Sequence, residues 1–195
     1  RRRGPEADEI RDCMLGWDVT DFGTGDFART GLVLLTLRNG HPRDRRYRAK
    51  TYCEKAMVAG AGQVTPMHFH WRKMEDIINR GGGHLVIRFH NATPAGRPAA
   101  GPVRLSVDGV TRVLPAGGRL RLPPGESVCI PPRVYHEFEG ARGRGPVLAW
   151  EVSKVNDDRC DNRFLEPAGR FPEIEEDEPP RHLLCSEYPR ARRER

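Results

Sequence analysis

Aromatic residues, paired cysteines, long apolar runs and net charge in the body of the chain are all scarce in this sequence. Each scarcity excludes a class of protein. Only 7% of the 195 residues are aromatic, and no Arg-rich stretch interleaves them in the way that stacks nucleic-acid bases. No segment approaches the roughly 18 consecutive apolar residues that a membrane helix needs, and the opening Arg1-Arg2-Arg3-Gly4-Pro5 lacks the apolar core of a signal peptide. The five cysteines, Cys13, Cys53, Cys129, Cys160 and Cys185, are odd in number, widely spaced and free of any Cys-x-x-Cys pair. That argues against a disulfide scaffold and a thiolate zinc site, and fits a reducing, cytoplasmic setting. The formal charge of +6 sits at the ends, in Arg1 to Arg3 and in Arg190, Arg192, Arg193 and Arg195 less Glu194, so residues 4–189 are neutral. Basic tails of this kind are ordinarily solvated, and no nucleic-acid or membrane partner is expected. The chain opens on Arg1 rather than Met, so a segment upstream is expected.

What is abundant is punctuation. With 21 Gly and 17 Pro, helical bundles and coiled coils are excluded and short strands remain. A short helical segment is expected within 4–16, a loop over 18–27, and strands over 31–39, 47–57, 84–90, 103–107, 110–114, 119–122, 127–130, 135–138 and 146–152. Asp108-Gly109 joins two of these as a hairpin, because both turn positions favour positive φ. About nine strands at this spacing describe one all-β domain, a sandwich or closed roll.

The chemistry concentrates in Met67-His68-Phe69-His70-Trp71-Arg72-Lys73-Met74-Glu75 and the glycines 81–83 that follow. On a strand His68 and His70 point to one face, Glu75 lies five residues on, and Gly125 to His136 places a further histidine after Pro131-Pro132. Three imidazoles and a carboxylate form a mixed site suited to Mn, Fe, Co, Ni or Zn, with positions open for a substrate. An HxH pair alone is most often structural, but here it comes with the glutamate, the glycine run and the distant histidine.

These two stretches resemble the paired signature of the cupin superfamily, with Gly62, His68, His70, Glu75 and Gly82 in the first copy and Gly125, Pro131 and His136 in the second. Arg133 stands where that pattern has Gly, and Gly140 where it often has Asn. The resemblance implies a double-sheet jelly roll with His68, His70, Glu75 and His136 as metal ligands. A closer similarity runs from about Ala7 to Tyr188, through residues 8–23, 62–71, 73–83, 151–158 and 161–164, to the D-lyxose ketol-isomerase family. It implies interconversion of D-lyxose with D-xylulose and of D-mannose with D-fructose, generally with Mn²⁺, by a homodimer. It also implies an N-terminal helical segment ahead of Arg1. On this reading the chain is one cupin domain: 4–45 an extension with the first strands, 47–152 the barrel, 153–189 a C-terminal extension, with basic tails at 1–3 and 190–195.

Aldose–ketose isomerisation moves one proton between C1 and C2 and another between O1 and O2, so it needs an acid/base pair and stabilisation of an enediolate. Lys73, two residues before Glu75, is the first candidate for proton transfer, on the expectation that its ammonium loses a proton more readily beside a metal. Glu151, in an otherwise apolar strand, is the partner carboxylate, since burying it unpaired would be costly. Lys55 is placed against a sugar hydroxyl or oxyanion, and Asp161 as a substrate contact in a stretch otherwise read as turn chemistry. Phe69 and Trp71 are read as packing, and His84 and His90 as structural. A cupin dioxygenase with the same ligands and a non-catalytic sugar-binding cupin are the rival readings.

Overall fold

The computed structural model describes residues 7–169, 178–179 and 181–188. The basic ends and the acidic run at 173–177 lie outside the described residues. After α1 (Asp8–Asp12) come β1 (Gly16–Thr20), β2 (Leu32–Asn39), β3 (Tyr52–Ala59), β4 (Val64–His70), β5 (Glu75–Gly82), β6 (Leu85–Asn91) and β7 (Val103–Val107). Then follow β8 (Val110–Leu114), β9 (Arg119–Leu122), β10 (Ser127–Ile130), β11 (Val134–Gly140), β12 (Val147–Lys154) and β13 (Asn162–Phe164). They form an eight-stranded sheet, in the order β1-β2-β3-β12-β5-β10-β7-β8, and a five-stranded sheet, β13-β4-β11-β6-β9. All named pairs are antiparallel. This is the double-sheet jelly roll expected from the cupin pattern. No helix among the described residues is long and apolar enough to cross a membrane.

Alternation decides which side chains enter the barrel. In β3 Cys53, Lys55, Met57 and Ala59 are buried, and in β12 Val147, Ala149, Glu151 and Ser153. The apolar members join Leu34, Ile77, Ile87, Phe89, Val128 and Phe138 between the sheets. A smaller cluster of Met67, Phe69 and Tyr135 lies apart from it, with the Tyr135 hydroxyl donating to Gly96 O at 2.7 Å. The β7–β8 hairpin turns at Asp108 (φ 49°) and Gly109 (φ 79°), both left-handed as that turn requires.

Three elements differ from the sequence reading. The strand expected from Tyr47 starts only at Tyr52, because Asp44 accepts a hydrogen bond from Arg46 N and caps a 3-10 turn over Arg45–Tyr47. β1 occupies part of the expected loop: its residues pair in full register with β2, and that partner overrides a Gly- and Asp-rich local preference. β13 likewise forms from turn-like residues because it adds to the edge of β4, Asn162 opposite His70 and Phe164 opposite His68.

The glycine run after β5 is demanded by geometry. Gly82 has φ 83°, and a Cβ there would lie 2.2 Å from Pro146 O. Beside it, fully buried Asn79 donates from Nδ2 to Gly83 O and Leu122 O, both at 2.9 Å, and accepts from Gly81 N at 3.0 Å. Asn79→Ala would leave all three groups without that partner, and a loss of about 3 kcal/mol is expected. Urea unfolding of the variant checks this; an unchanged midpoint would show that other groups satisfy the turn.

Candidate active site

The β4–β11 pairing sets His136 directly opposite His68, while His70 lies two residues farther along β4 on the same face. One ligand atom from each of the three histidines lies within 4.8 Å of the others, and all three are buried. His68 Nδ1 faces Pro66 O at 2.7 Å and His136 Nδ1 faces Val134 O at 3.1 Å. A carbonyl only accepts, so Nδ1 carries the proton in both rings and Nε2 is left as the free lone pair. Burial and the neighbouring rings His136 and His70 hold His68 well below the usual imidazole range. Burial, then the charge of Lys73, does the same to His70. Neutral rings of this kind are ready to act as ligands.

Glu75, the first residue of β5, reaches the cluster from the facing sheet. Its Oε1 is 2.9 Å from His136 Nε2 without the alignment of a hydrogen bond, and its Oε2 is 3.4 Å from His70 Nε2. Glu75 Oε1 and His70 Nδ1 are buried with no hydrogen-bond partner. A carboxylate oxygen without a donor, beside three imidazoles that cannot all supply one, fits a divalent cation of the borderline kind.

A second set of charges adjoins the cluster. Lys73 Nζ lies 2.7 Å from Glu75 Oε2 and 2.7 Å from Glu151 Oε1, and Lys55 Nζ lies 3.3 Å from Glu151 Oε2. Lys55 and Glu151 are cross-strand partners in the β3–β12 ladder, and the Ser153 hydroxyl donates to Glu151 Oε1 at 2.8 Å. All of these residues are buried. Burial alone would drive the proton off Lys73, but Glu151 and then Glu75 override it and push its pKa up. The two carboxylates thus favour the charged ammonium of Lys73. Burial raises Glu151, while Lys55 and then Lys73 bring it below its ordinary value. Glu75 is held well below the carboxylate range, the adjacent Lys73 ammonium outweighing burial.

Asp161 takes a different position from the one expected. Its carboxylate accepts from Arg72 N and Lys73 N, each at 3.0 Å, and its carbonyl accepts from Trp71 N at 3.0 Å. It clasps the turn that aims Lys73. Phe69 is fully buried and Trp71 half-exposed, stacked edge-on at 4.7 Å. Arg133 adopts φ 63°, the left-handed backbone for which the cupin pattern uses Gly, and its guanidinium donates to Thr93 O and Pro94 O and lies over Trp71. His90 lies on the outward parity of β6 and His84 just precedes that strand, its Nδ1 accepting from Arg121 Nε.

The cavity around these groups is also lined by Thr65, Asp158, Asn162 and Phe164. The sequence reading passed over Thr65 and treated Asp158 and Asn162 as turn residues. Their signal was only the local resemblance around 158 and 162, since strand parity cannot bring β13 to β4. Asp158 accepts from Asn156 Nδ2 at 2.7 Å and from Asn162 Nδ2 at 3.3 Å.

Fold and side chains together define a cupin jelly roll with three buried histidines and the charged groups of Lys55, Lys73, Glu75 and Glu151 gathered inside its barrel. A family model described as D-lyxose isomerase matches residues 1–188. The chain belongs to that family and is a sugar isomerase. It is 58% identical over 180 residues to a D-lyxose/D-mannose isomerase of Serratia proteamaculans, covering 92% of this chain and 78% of that one. It is 51% identical over 181 residues to the D-lyxose/D-mannose isomerase of Escherichia coli O157:H7, covering 93% and 79%. Among solved structures it shares its fold with L-ribose isomerase of Cellulomonas parahominis (TM-score 0.56, 21% identity, 84% of this chain and 86% of that one).

Proposed function

We propose that this chain interconverts D-lyxose with D-xylulose and D-mannose with D-fructose through an enediol, as a Mn²⁺-dependent cytoplasmic homodimer built from one cupin domain. The observation that carries the reading is the Lys73–Glu151 contact at 2.7 Å, buried beside the three-histidine cluster, in a chain 58% identical to a D-lyxose/D-mannose isomerase. His68, His70, Glu75 and His136 are the residues that would hold the metal. Bound there, it would supply Lewis-acid polarisation of the sugar oxygens. Glu151, ionised between two ammonium groups, takes the proton from C2 and returns it to C1. Lys73, kept charged, donates to the oxygen on which negative charge develops and moves the proton between O1 and O2. Lys55 holds Glu151 in place and faces the same oxygens. Asp161 acts through the backbone of residues 72–73.

The assay is ketose formation from a panel of pentoses and hexoses after chelation and metal add-back, run beside oxygen uptake. Ketose from lyxose without oxygen consumption supports the isomerase; oxygen consumption without ketose supports the dioxygenase. No turnover with any aldose leaves only the binding cupin.

The homodimer is supported by the outer face of the large sheet. Across β1, β2, β3, β12 and β5 the outward residues run Trp17, Leu35, Ala56, Trp150, Ile78 in one row and Val19, Val33, Val58, Leu148 in the next. An antiparallel sheet with one solvated face should be polar there, and Trp17, Val58 and Leu148 are about 40% exposed. Apolar area of this breadth is a subunit contact. Light scattering should give a dimer for the wild type and a monomer for Val58→Lys with Leu148→Lys; a monomeric wild type would sink the proposal.

A further inference from the structure

The cavity is lined by two unlike sets of side chains. One comprises the histidines, Lys55, Lys73, Glu75 and Glu151; the other is apolar, with Leu34, Met57 and Phe138 among its members. Among the lining side chains a single hydroxyl stands out. Thr65 is 3% exposed, lines the cavity, and its Oγ1 is buried with no hydrogen-bond partner. A buried hydroxyl left unpaired costs free energy, so its presence calls for a partner that arrives later.

Backbone irregularity puts it there. His136 pairs with His68, but Phe138 pairs with Thr65, so three residues of β4 span the same length as two of β11. In a regular ladder Phe138 would face Pro66 and Thr65 would turn outward, because one residue of slip reverses every side chain. The bulge rotates Thr65 to the face that bears His68 and His70. Bulges that re-aim a side chain are a feature of binding sites. Asn162, paired with His70 on the strand beside β4, also has its Oδ1 buried without a partner. Its orientation is settled by Asp158, whose carboxylate can only accept and receives Asn162 Nδ2 at 3.3 Å, so Oδ1 remains an acceptor seeking an O–H.

We propose that Thr65 is a specificity-determining residue that hydrogen-bonds the tail hydroxyls of the sugar, those remote from C1 and C2, while Asn162, level with His70, faces the end that holds the histidines. This rests on the isomerase reading above and deepens it. The level of Thr65 is that of Phe138, two residues and so roughly 7 Å along β11 from His136. A sugar whose C1–C2 end lies among the ligands and charged groups extends its remaining carbons toward that level. An apolar wall would bind those carbons but could not distinguish their hydroxyls; Thr65 supplies the donor and acceptor that can. A contact equal in ground and transition states alters KM and leaves kcat alone.

The test is Thr65→Val, which is close in shape, with Thr65→Ser as the rescue. For Thr65→Val on D-lyxose the expected result is a KM raised about tenfold, the loss of one hydrogen bond, at near wild-type kcat and unchanged metal content. Calorimetric affinity for the alditol made by reducing D-lyxose, which binds without reacting, should fall by the same factor. The thermal midpoint of the sugar-free protein should hold or rise, since Val removes an unsatisfied polar group; a purely structural hydroxyl would instead lower it. Among 3-, 4- and 5-deoxy analogues, the one lacking the bonded hydroxyl should bind Thr65→Val no worse than wild type. Wild-type KM and alditol affinity in Thr65→Val, or equal added losses with every deoxy analogue, would overturn the assignment. A wild-type protein without isomerase activity would defeat the underlying reading instead, and the two failures are separate measurements.

Discussion

His136→Ala is expected to yield a folded protein that retains little metal and no measurable turnover. His136 sits at the meeting point of both sheets, opposite His68 in the β4–β11 ladder and 2.9 Å from Glu75. Its Nδ1–H donates to Val134 O, so the ring is aimed before any ligand arrives. Deleting it takes away one of three imidazoles and leaves Glu75 Oε1 facing a void. The same reasoning applies to His68→Ala. In the wild type, EDTA should abolish activity, and Mn²⁺ should restore it better than Mg²⁺, because imidazoles suit a transition metal and Mg²⁺ demands an oxygen shell. Metal analysis checks the variants directly. Stoichiometric metal in both, or full activity of the metal-free wild type, would show that these side chains are not the ligands.

Lys73→Met should lower kcat by about 10²–10⁴-fold, the usual effect of removing a general acid or base, with metal content preserved. Methionine keeps most of the aliphatic stem. The electrostatic consequence is on the two carboxylates that Lys73 bridges. Glu151 keeps Lys55 and Ser153, whereas Glu75 then depends on the histidines and the metal. In the wild type both carboxylates have folded pKa values below their ordinary ones. Their contribution to stability is therefore complete above the unfolded pKa, near 4.3, and is lost as pH falls through the folded values. Without the ammonium those values rise, so the acid-unfolding midpoint of Lys73→Met should move to higher pH. A raised KM at constant kcat would reassign Lys73 to holding the sugar, and wild-type kinetics would leave Glu151 and Lys55 as the reacting pair.

The candidate ligands were legible because they need only two kinds of information, residue type and strand parity. His68 and His70 on one face follow from a period of two, and the glycine at 82 follows from a turn that no residue with a Cβ can make against Pro146 O. The hairpin at Asp108-Gly109 was legible for the same reason: a local dihedral requirement leaves a local signature.

What the sequence alone determined, then, is the all-β character, the ligand types, the resemblance that named the family, and the candidates Lys55, Lys73 and Glu151. Only the tertiary structure decided how they meet. Lys73 and Glu151 are 78 residues apart, and whether such a pair is a salt bridge or two solvated charges depends on strand order, which no periodicity encodes. That contact also favours the charged form of Lys73, since two carboxylates at 2.7 Å outweigh desolvation. The role of Asp161 as a clasp on residues 72–73, the existence of β13 and the inward turn of Thr65 are likewise long-range outcomes. Each depends on a partner strand supplying hydrogen bonds that override local preference, and that free energy exists only once the chain has closed.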